Sequence, residues 1–195
     1  MSLDLIKEIR NETGLPISDI KKAIDNVGHD KEQIIKHLRE QGTLKSSKRS
    51  DRSTENGSIF SYIHEGRMGV ILELQCETDF VDRSDDFKNL GQNLCLQIVA
   101  SQPRFVTSDE VDTSIIDEEM EIQKKILEGE NKPAEIITKI LTGKRDRFFE
   151  EIVLLDQVYV KESSMKIRDL LNSVGQKTGE KIIISRFTSY ILGKN

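Results

Sequence analysis

The sequence has few cysteines, no excess of basic residues and no long apolar run, and each absence excludes a class of protein. Two cysteines in 195 residues, Cys76 and Cys95, are too few for a disulfide framework or a four-ligand zinc site. No apolar run approaches the roughly 20 residues that a membrane-spanning helix needs, and the first residues do not resemble a signal peptide. We therefore expect a cytoplasmic protein that makes no membrane contact and keeps both cysteines as buried thiols.

The charge of the chain is slightly negative, with 29 basic residues, 34 acidic residues and a formal net charge of -5. This balance argues against nucleic-acid binding, because proteins that contact phosphates usually carry an excess of Lys and Arg. Residues 108–130 alone hold nine acids against Lys124 and Lys125. We expect these acids to lie on the solvent side of an amphipathic helix, and we expect no direct nucleic-acid partner.

Residues 1–44 are predicted to form three short helices that share one small core, since helices of this length are not stable alone. Gly14 is expected to end the first helix and Gly42 to end the third. Ser18 is the expected N-cap of the second helix. Apolar residues recur at helical spacing in all three segments: Leu5, Ile6 and Ile9, then Ile20, Ala23, Ile24 and Val27, then Ile34, Ile35 and Leu38.

Residues 45–57 separate this module from the rest of the chain and are predicted to be a flexible linker. They begin with K-S-S-K-R-S-D-R, which contains no apolar residue. An RNA site is the alternative, but the run has no aromatic residues between its charges. We therefore predict one domain at 1–44 and a second at 58–195.

The second domain begins with a predicted β-hairpin. Its strands are expected at 59–64 and 70–76, on either side of a glycine-containing turn. A last strand is predicted from Lys181 to about Phe187. Alternate residues of the second hairpin strand are expected to share one buried face: Val70, Leu72, Leu74 and Cys76.

Helices are predicted between these strands. Ser84 is the expected N-cap of a long helix that ends before Pro103. Others are expected through the acidic stretch, from Pro133 to Gly143, at 148–155 as a helix or turn, and near 165–171. The acidic helix is expected to turn its apolar residues inward: Ile115, Ile116, Met120, Ile126 and Leu127. We therefore predict an α+β protein, with an N-terminal three-helix bundle followed by an antiparallel-sheet domain with packed helices.

The sequence carries no recognisable catalytic constellation. Gly143-Lys144 lacks the upstream glycine and the Ser or Thr of a phosphate loop. The histidines lie in different predicted elements, and none has a partner at metal-ligand spacing. We therefore expect no catalytic residue, no metal site and no cofactor. A hydrolytic enzyme with its acids in the second domain is an alternative, but the acid-rich segment is predicted to face solvent.

One segment differs from ordinary scaffold. Directly after the strand that ends near Cys76 comes E-T-D-F-V-D-R, which puts the aromatic Phe80 beside the carboxylate of Asp79 in a connection between strand and helix. Such connections often carry function. The alternative is that Thr78 or Asp79 caps a turn while Phe80 folds back onto the domain's own core.

Several segments in order along the chain resemble the translation elongation factor Ts family. The most specific is G-V-I-L-E-L-Q-C-E-T-D-F-V at 69–81. The others are L-I-K-E-I-R-N-E-T-G at 5–14, K-K-A-I at 21–24, L-R-E-Q-G at 38–42, Q-I-V-A-S-Q-P at 97–103 and L-L-D-Q-V-Y-V at 154–160. The resemblance covers nearly the whole chain.

The resemblance implies a guanine nucleotide exchange factor that binds elongation factor Tu, in its GDP-bound and nucleotide-free forms, and promotes GDP release. It implies that the N-terminal module is a ubiquitin-associated-like (UBA-like) bundle that docks on the GTPase domain through positions matching Arg10, Ile17 and Ser18. The segment implied to dislodge Mg²⁺ from the partner's nucleotide site consists of Thr78, Asp79, Phe80 and Val81. A further implied contact, with the partner's last domain, matches Gln97, Ile98, Val99 and Ala100. An inward-facing helix explains Ile98 equally well.

The chain resembles the short form of the family, because residues 58–195 can hold only one copy of the core subdomain. A second copy of the chain could supply the missing contact surface, so we expect a homodimer that forms through the C-terminal strand at 181–191. A UBA-type interaction adaptor without exchange activity is the alternative function.

Overall fold

A computed structural model of the chain describes residues 3–47, 51–129 and 133–194. The helices are α1 (Leu3–Thr13), α2 (Ile17–Val27), α3 (Lys31–Ser47), α4 (Asp79–Asp82), α5 (Asp85–Ser101), α6 (Thr113–Gly129), α7 (Ala134–Ile152) and α8 (Ile167–Thr178). The strands are β1 (Asn56–His64), β2 (Met68–Cys76), β3 (Val158–Tyr159), β4 (Glu162–Lys166) and β5 (Ile182–Ile191). Three N-terminal helices are followed by an antiparallel sheet with packed helices, which confirms the predicted α+β class.

The N-terminal bundle consists of α1, α2 and α3, which pack against one another. Gly14 follows α1 with a φ of 68°, and its N–H donates to Arg10 O at 2.7 Å, so the predicted helix stop is confirmed. The bundle core is a single cluster of buried residues: Ile6, Ile9, Leu15, Ile20, Ala23, Ile24, Ile34 and Leu38.

Two predicted helix boundaries in the bundle are wrong. Helix α2 begins at Ile17 after Pro16, so Ser18 lies in its first turn and does not cap it. Helix α3 continues past Gly42 to Ser47. Gly42 is buried, and a Cβ added to it would lie 2.6 Å from Gln176 Oε1. The glycine therefore allows the close approach of a side chain from α8, and it does not end the helix.

The main sheet has the strand order β1-β2-β5. The hairpin of β1 and β2 is confirmed, and its turn is closed by a hydrogen bond from Arg67 N–H to His64 O at 2.9 Å. The predicted alternation of β2 is also confirmed, because Val70, Leu72, Leu74 and Cys76 are all buried. Strand β5 is longer than predicted, since it continues to Ile191.

Contacts divide the chain into two compact units. The first comprises Met1–Phe60, Glu73–Asn93 and Asp169–Ser185, and the second comprises Ser61–Leu72, Leu94–Arg168 and Arg186–Asn195. The predicted linker contributes residues 45–47 to α3 and residues 56–57 to β1, while residues 48–50 lie outside the described residues. Its flexibility stays a prediction.

The first unit contains the bundle and a core around two phenylalanines. The rings of Phe60 and Phe87 lie 5.9 Å apart between centroids, at an interplanar angle of 56°. Gly91 lies directly beneath the Phe60 ring, because a Cβ added there would be 2.5 Å from three of the ring carbons. Other buried apolar residues of this unit outside the bundle include Leu74, Cys76, Val81, Leu90, Ile182 and Ile184.

The second unit contains the helix pair α6 and α7, which pack on each other. One of its clusters contains Val111, Ile152 and Val153, and a bridge joins Phe105 to Val153. The short antiparallel pair β3 and β4 was not predicted.

Three helix predictions in this region need correction. Helix α7 passes through Gly143, which has no atom near its missing Cβ, and it runs on to Ile152 as one helix. Helix α8 extends to Thr178. In α6, Leu127 is buried, but Ile126 is 51% exposed and not inward. Adjacent helical residues point about 100° apart, so Ile126 lies to the side of the face that buries Leu127.

Gly91 and Gly143 provide a matched test of this packing, because both lie inside long helices. We expect Gly91→Ala to lower the free energy of unfolding by about 1–3 kcal/mol, since its Cβ would overlap the Phe60 ring. Gly143→Ala should raise that free energy by about 0.5–1 kcal/mol, because alanine favours a helix and the site is open. Urea unfolding followed by circular dichroism measures both. Equal effects of the two substitutions would contradict the close packing at Gly91.

Candidate functional site

The segment between β2 and α5 is the one that the sequence predicted to be functional. Strand β2 ends at the buried Cys76, and α4 forms a single turn at Asp79–Asp82. Thr78 precedes this turn in an extended conformation, with φ -130° and ψ 159°. The Ser84 hydroxyl accepts the Phe87 N–H at 3.3 Å, so the predicted cap at the start of α5 is confirmed.

The single turn of α4 points its two apolar side chains in opposite directions. Val81 is 8% exposed and belongs to the core, whereas Phe80 is 82% exposed. The alternative in which Phe80 folds back onto the core is therefore wrong. An exposed phenylalanine stabilises the isolated protein little, but its burial by a partner would contribute about 1.5–3 kcal/mol.

The acids of the turn have separate partners. Asp79 Oδ2 lies 3.0 Å from an Arg83 guanidinium nitrogen, in an exposed i,i+4 pair. Asp82 Oδ1 accepts the Ser58 hydroxyl at 2.5 Å, which ties the turn to β1. Asp79 and Phe80 thus lie together on the solvent side, while Asp82 and Val81 hold the turn in place.

The side chain of Glu180, in the turn after α8, anchors the start of the segment. Glu180 Oε2 accepts the N–H groups of Glu77 at 3.1 Å and Thr78 at 3.0 Å. Glu180 Oε1 accepts the Thr78 hydroxyl at 2.6 Å. No local sequence signal indicated this residue, because its partners lie more than 100 positions earlier in the chain.

The side chain of Glu77 holds the same junction from the other direction. Its Oε1 accepts the Lys181 N–H at 2.5 Å. A guanidinium nitrogen of Arg52 donates to both carboxylate oxygens of Glu77, at 3.1 and 3.2 Å. The Asn56 amide donates to Glu77 O at 2.8 Å, and the Lys181 ammonium donates to Arg52 O at 3.0 Å. Two residues of the predicted linker, Arg52 and Asn56, are therefore bonded to the segment.

The predicted bundle contacts lie on either side of the turn between α1 and α2. Arg10, Ile17 and Ser18 are all exposed. Behind this turn, the Lys177 side chain of α8 lies against Gly14, where a Cβ would be 2.7 Å from Lys177 Cε. The Lys177 ammonium reaches on to Asp86 Oδ1 at 2.5 Å. This side chain therefore connects the bundle turn to the first turn of α5.

The predicted contact residues on α5 are mostly buried. Gln97, Ile98 and Val99 are buried, and Ala100 is exposed. The two N–H groups of the Gln97 amide share three acceptors, Ser101 Oγ, Gln157 Oε1 and Val158 O, at 3.0, 3.1 and 3.1 Å from the nitrogen. Its oxygen accepts the Val160 N–H at 2.9 Å. Gln97 thus bonds to the backbone of the β3 region much as a neighbouring strand would.

Both cysteines are buried thiols, as predicted. Burial, together with the negative charges of Glu180 and Asp82, raises the pKa of Cys76 to about 11. Burial alone raises the pKa of Cys95 to about 11. Neither thiol ionises near neutral pH, so neither is a reactive nucleophile.

The described residues contain no group of three or more His, Cys, Asp or Glu side chains placed to hold a metal ion. Among the helices at 3–47, 51–129 and 133–194, none has the length and apolar composition that a membrane crossing requires.

Comparison with known proteins agrees with the resemblance found in the sequence. The family model described as "Elongation factor TS" matches residues 6–194. Elongation factor Ts of Thermotoga petrophila is 42% identical over 195 residues, covering 100% of this chain and 97% of that protein. Elongation factor Ts of Thermodesulfovibrio yellowstonii is 39% identical, covering 100% of this chain and 97% of that protein. Elongation factor Ts of Leptospira biflexa is 40% identical, covering 100% of this chain and 99% of that protein. With matches of this extent at both levels, the chain belongs to the elongation factor Ts family.

Proposed function

We propose that this protein is the guanine nucleotide exchange factor for elongation factor Tu and acts in the cytoplasm during translation elongation. It binds the GDP-bound and nucleotide-free forms of that GTPase and promotes GDP release by disturbing the Mg²⁺ and nucleotide site. The observation that carries the proposal is the 82% exposure of Phe80 on a turn whose neighbouring Val81 is anchored in the core.

The proposed mechanism needs no covalent chemistry in the exchange factor. Mg²⁺ neutralises phosphate charge at short range, so displacing the partner's metal-holding elements weakens GDP binding strongly. By linkage, the factor lowers nucleotide affinity by as much as nucleotide lowers affinity for the factor, and a hundredfold effect corresponds to about 2.7 kcal/mol. Burial of one phenylalanine ring contributes about 1.5–3 kcal/mol, which is of the same order. Phe80 acts as the wedge with Asp79 beside it, while Thr78 and the buried Val81 hold the turn that presents them to the partner.

The bundle provides the second contact in this proposal. Arg10, Ile17 and Ser18 form an exposed surface that docks on the GTPase domain. The module at 1–44 thereby holds the factor on its partner while the segment in the 58–195 domain acts on the nucleotide site.

On α5, the direct contact is reduced to Ala100. Gln97, Ile98 and Val99 are buried, so they support the surface from below.

A homodimer completes the proposal. Strand β5 lies at one edge of the order β1-β2-β5, and an edge strand offers unpaired backbone groups to a second chain. Tyr190 is 70% exposed, and Leu192, just after the strand, is also exposed. We propose that the second copy covers this end of β5.

Release of a fluorescent GDP from elongation factor Tu, followed by stopped flow, tests the exchange function. The wild-type protein should accelerate release, and Phe80→Ala should reduce the acceleration about 10- to 100-fold because the buried ring is lost. Ile122→Ala, which removes an exposed apolar side chain from α6, is the matched control and should leave the rate unchanged. No acceleration by the wild type would contradict the exchange function and favour the adaptor. An unimpaired Phe80→Ala protein would contradict the wedge alone.

Substitutions at Gln97 and Ala100 distinguish a structural role in α5 from direct contact with the partner. Gln97→Ala should lower the free energy of unfolding by about 2–3 kcal/mol, because several groups lose a buried amide partner. Ala100→Arg should leave stability unchanged and raise the concentration of factor that gives half-maximal GDP release. An unchanged half-maximal concentration for Ala100→Arg would show that Ala100 makes no contact.

Light scattering over a range of concentrations tests the dimer. The wild-type mass should rise above the 22.3 kDa of one chain as concentration increases. Tyr190→Glu should keep the mass at that of one chain, because a charge at the strand edge opposes pairing. Ile126→Glu places the same charge at an exposed isoleucine of α6 and should leave dimerisation intact. A wild-type mass that stays near 22 kDa at every concentration excludes the dimer.

A further inference from the structure

The side chain of Glu180 fills a place in the structure where the regular backbone bonding is interrupted. After Cys76 the β2 strand has ended, and the turn of α4 has not yet begun. The backbone N–H groups of Glu77 and Thr78 fall in this gap, and Glu180 Oε2 accepts both. Hydrogen bonds from such groups to a charged acceptor are stronger than those between neutral groups.

These bonds leave Thr78 with little freedom. Its N–H and its hydroxyl donate to the two oxygens of Glu180, at 3.0 and 2.6 Å. Its carbonyl oxygen accepts the Asp82 N–H at 3.3 Å and the Cys76 thiol at 3.2 Å. Every polar group of Thr78 is therefore engaged two residues before Phe80, and the direction in which α4 leaves the strand is set by these contacts.

The turn that carries Glu180 is shaped by two glycines. Gly179 adopts a φ of 82°, and its N–H donates to Gly175 O at 3.0 Å, which ends α8 in a left-handed C-cap. A Cβ on Gly175 would lie 2.9 Å from Glu180 O, so the chain passes close over the helix end. The Lys181 N–H donates to Glu77 Oε1 at 2.5 Å, so the turn after α8 and the segment after β2 are bonded in both directions.

We propose that Glu180 is a positioning residue for nucleotide exchange, which holds Thr78 so that Phe80 is presented to the partner in one exposed orientation. This inference rests on the exchange function proposed above. A segment that is already ordered loses less conformational entropy on binding than a flexible one, so more of the contact energy is available to displace the partner's groups. Glu180 itself does not touch the nucleotide or the metal in this proposal.

Two substitutions of Glu180 distinguish the effect of its side-chain length from the effect of its negative charge. Glu180→Gln keeps the length of the side chain, so its amide oxygen can still accept the two N–H groups while its NH₂ group faces the Thr78 hydroxyl. Glu180→Asp keeps the charge but is one methylene shorter, and so it cannot maintain bonds of 3.0–3.1 Å. A positioning role therefore predicts that the glutamine variant is active and the aspartate variant is not. A role for the negative charge predicts the reverse.

The experiment is stopped-flow release of fluorescent GDP from elongation factor Tu, with the full chain titrated to saturation. For Glu180→Asp and Glu180→Ala we expect the maximal rate to fall about tenfold or more, with the half-saturating concentration changed less than about threefold because the bundle contact remains. Glu180→Gln should stay within about threefold of the wild type. Thr78→Val removes the hydroxyl bond and keeps both N–H bonds, so it should cause a smaller loss. Adding it to Glu180→Ala should have no further effect, as expected for two groups of one interaction. Glu118→Ala removes an exposed carboxylate from α6 and serves as the control.

Hydrogen exchange measured by mass spectrometry gives a readout that does not depend on the partner. In Glu180→Ala, protection should fall at residues 77–82 and stay unchanged in β2 and in α5. Unchanged protection there also confirms that the variant is folded. A folded Glu180→Asp protein with the wild-type maximal rate would overturn the role of Glu180 while leaving the exchange function standing. Absence of acceleration by the wild-type protein would overturn the exchange function and this role together.

Discussion

The buried face of β2 reaches Cys76 at the end of the strand, and the exposed segment begins directly after it. Its buried residues alternate without interruption as far as Cys76, and the next two N–H groups need new acceptors. Half-buried backbone donors are rarely left unpaired, and here a side chain from a distant part of the chain accepts both. Glu180 does so, and the short turn that follows can then direct Val81 inward and Phe80 outward.

The negative charge of the chain is largely separate from this segment. In α6, Glu121 pairs with Lys125 at 2.8 Å and Glu128 with Lys124 at 3.9 Å, and such exposed pairs contribute little stability. Asp112 accepts the Ser114 N–H at 2.9 Å at the start of α6, and this bond lowers the pKa of its carboxyl. Asp112 thus caps α6, which was not predicted. The described acids of α6 keep its outer side solvated, as the pattern predicted.

Glycine illustrates how far local sequence reasoning extends in this protein. Gly14 ends a helix as expected, whereas Gly42 and Gly143 lie inside helices that continue past them. A glycine costs a helix about 1 kcal/mol, which packing along the rest of the helix can outweigh. At Gly42 the missing Cβ makes room for Gln176, a residue far away in the chain. The same amino acid therefore has different roles that no local pattern distinguishes.

Local sequence patterns suffice to predict the α+β class, the three-helix module, the buried face of β2, the Ser84 cap and the position of the Thr78–Val81 segment. All of these depend on the periodicity of apolar residues or on caps within a few positions, which are local properties. Three other features depend on how the chain folds: Phe80 faces solvent, Gln97 is buried, and Glu180 holds Thr78. Gln97 and Glu180 bond to residues far away in the chain, and the exposure of Phe80 depends on which elements pack around its turn. Such pairings follow from how the elements pack, and they leave no signal in the residues on either side.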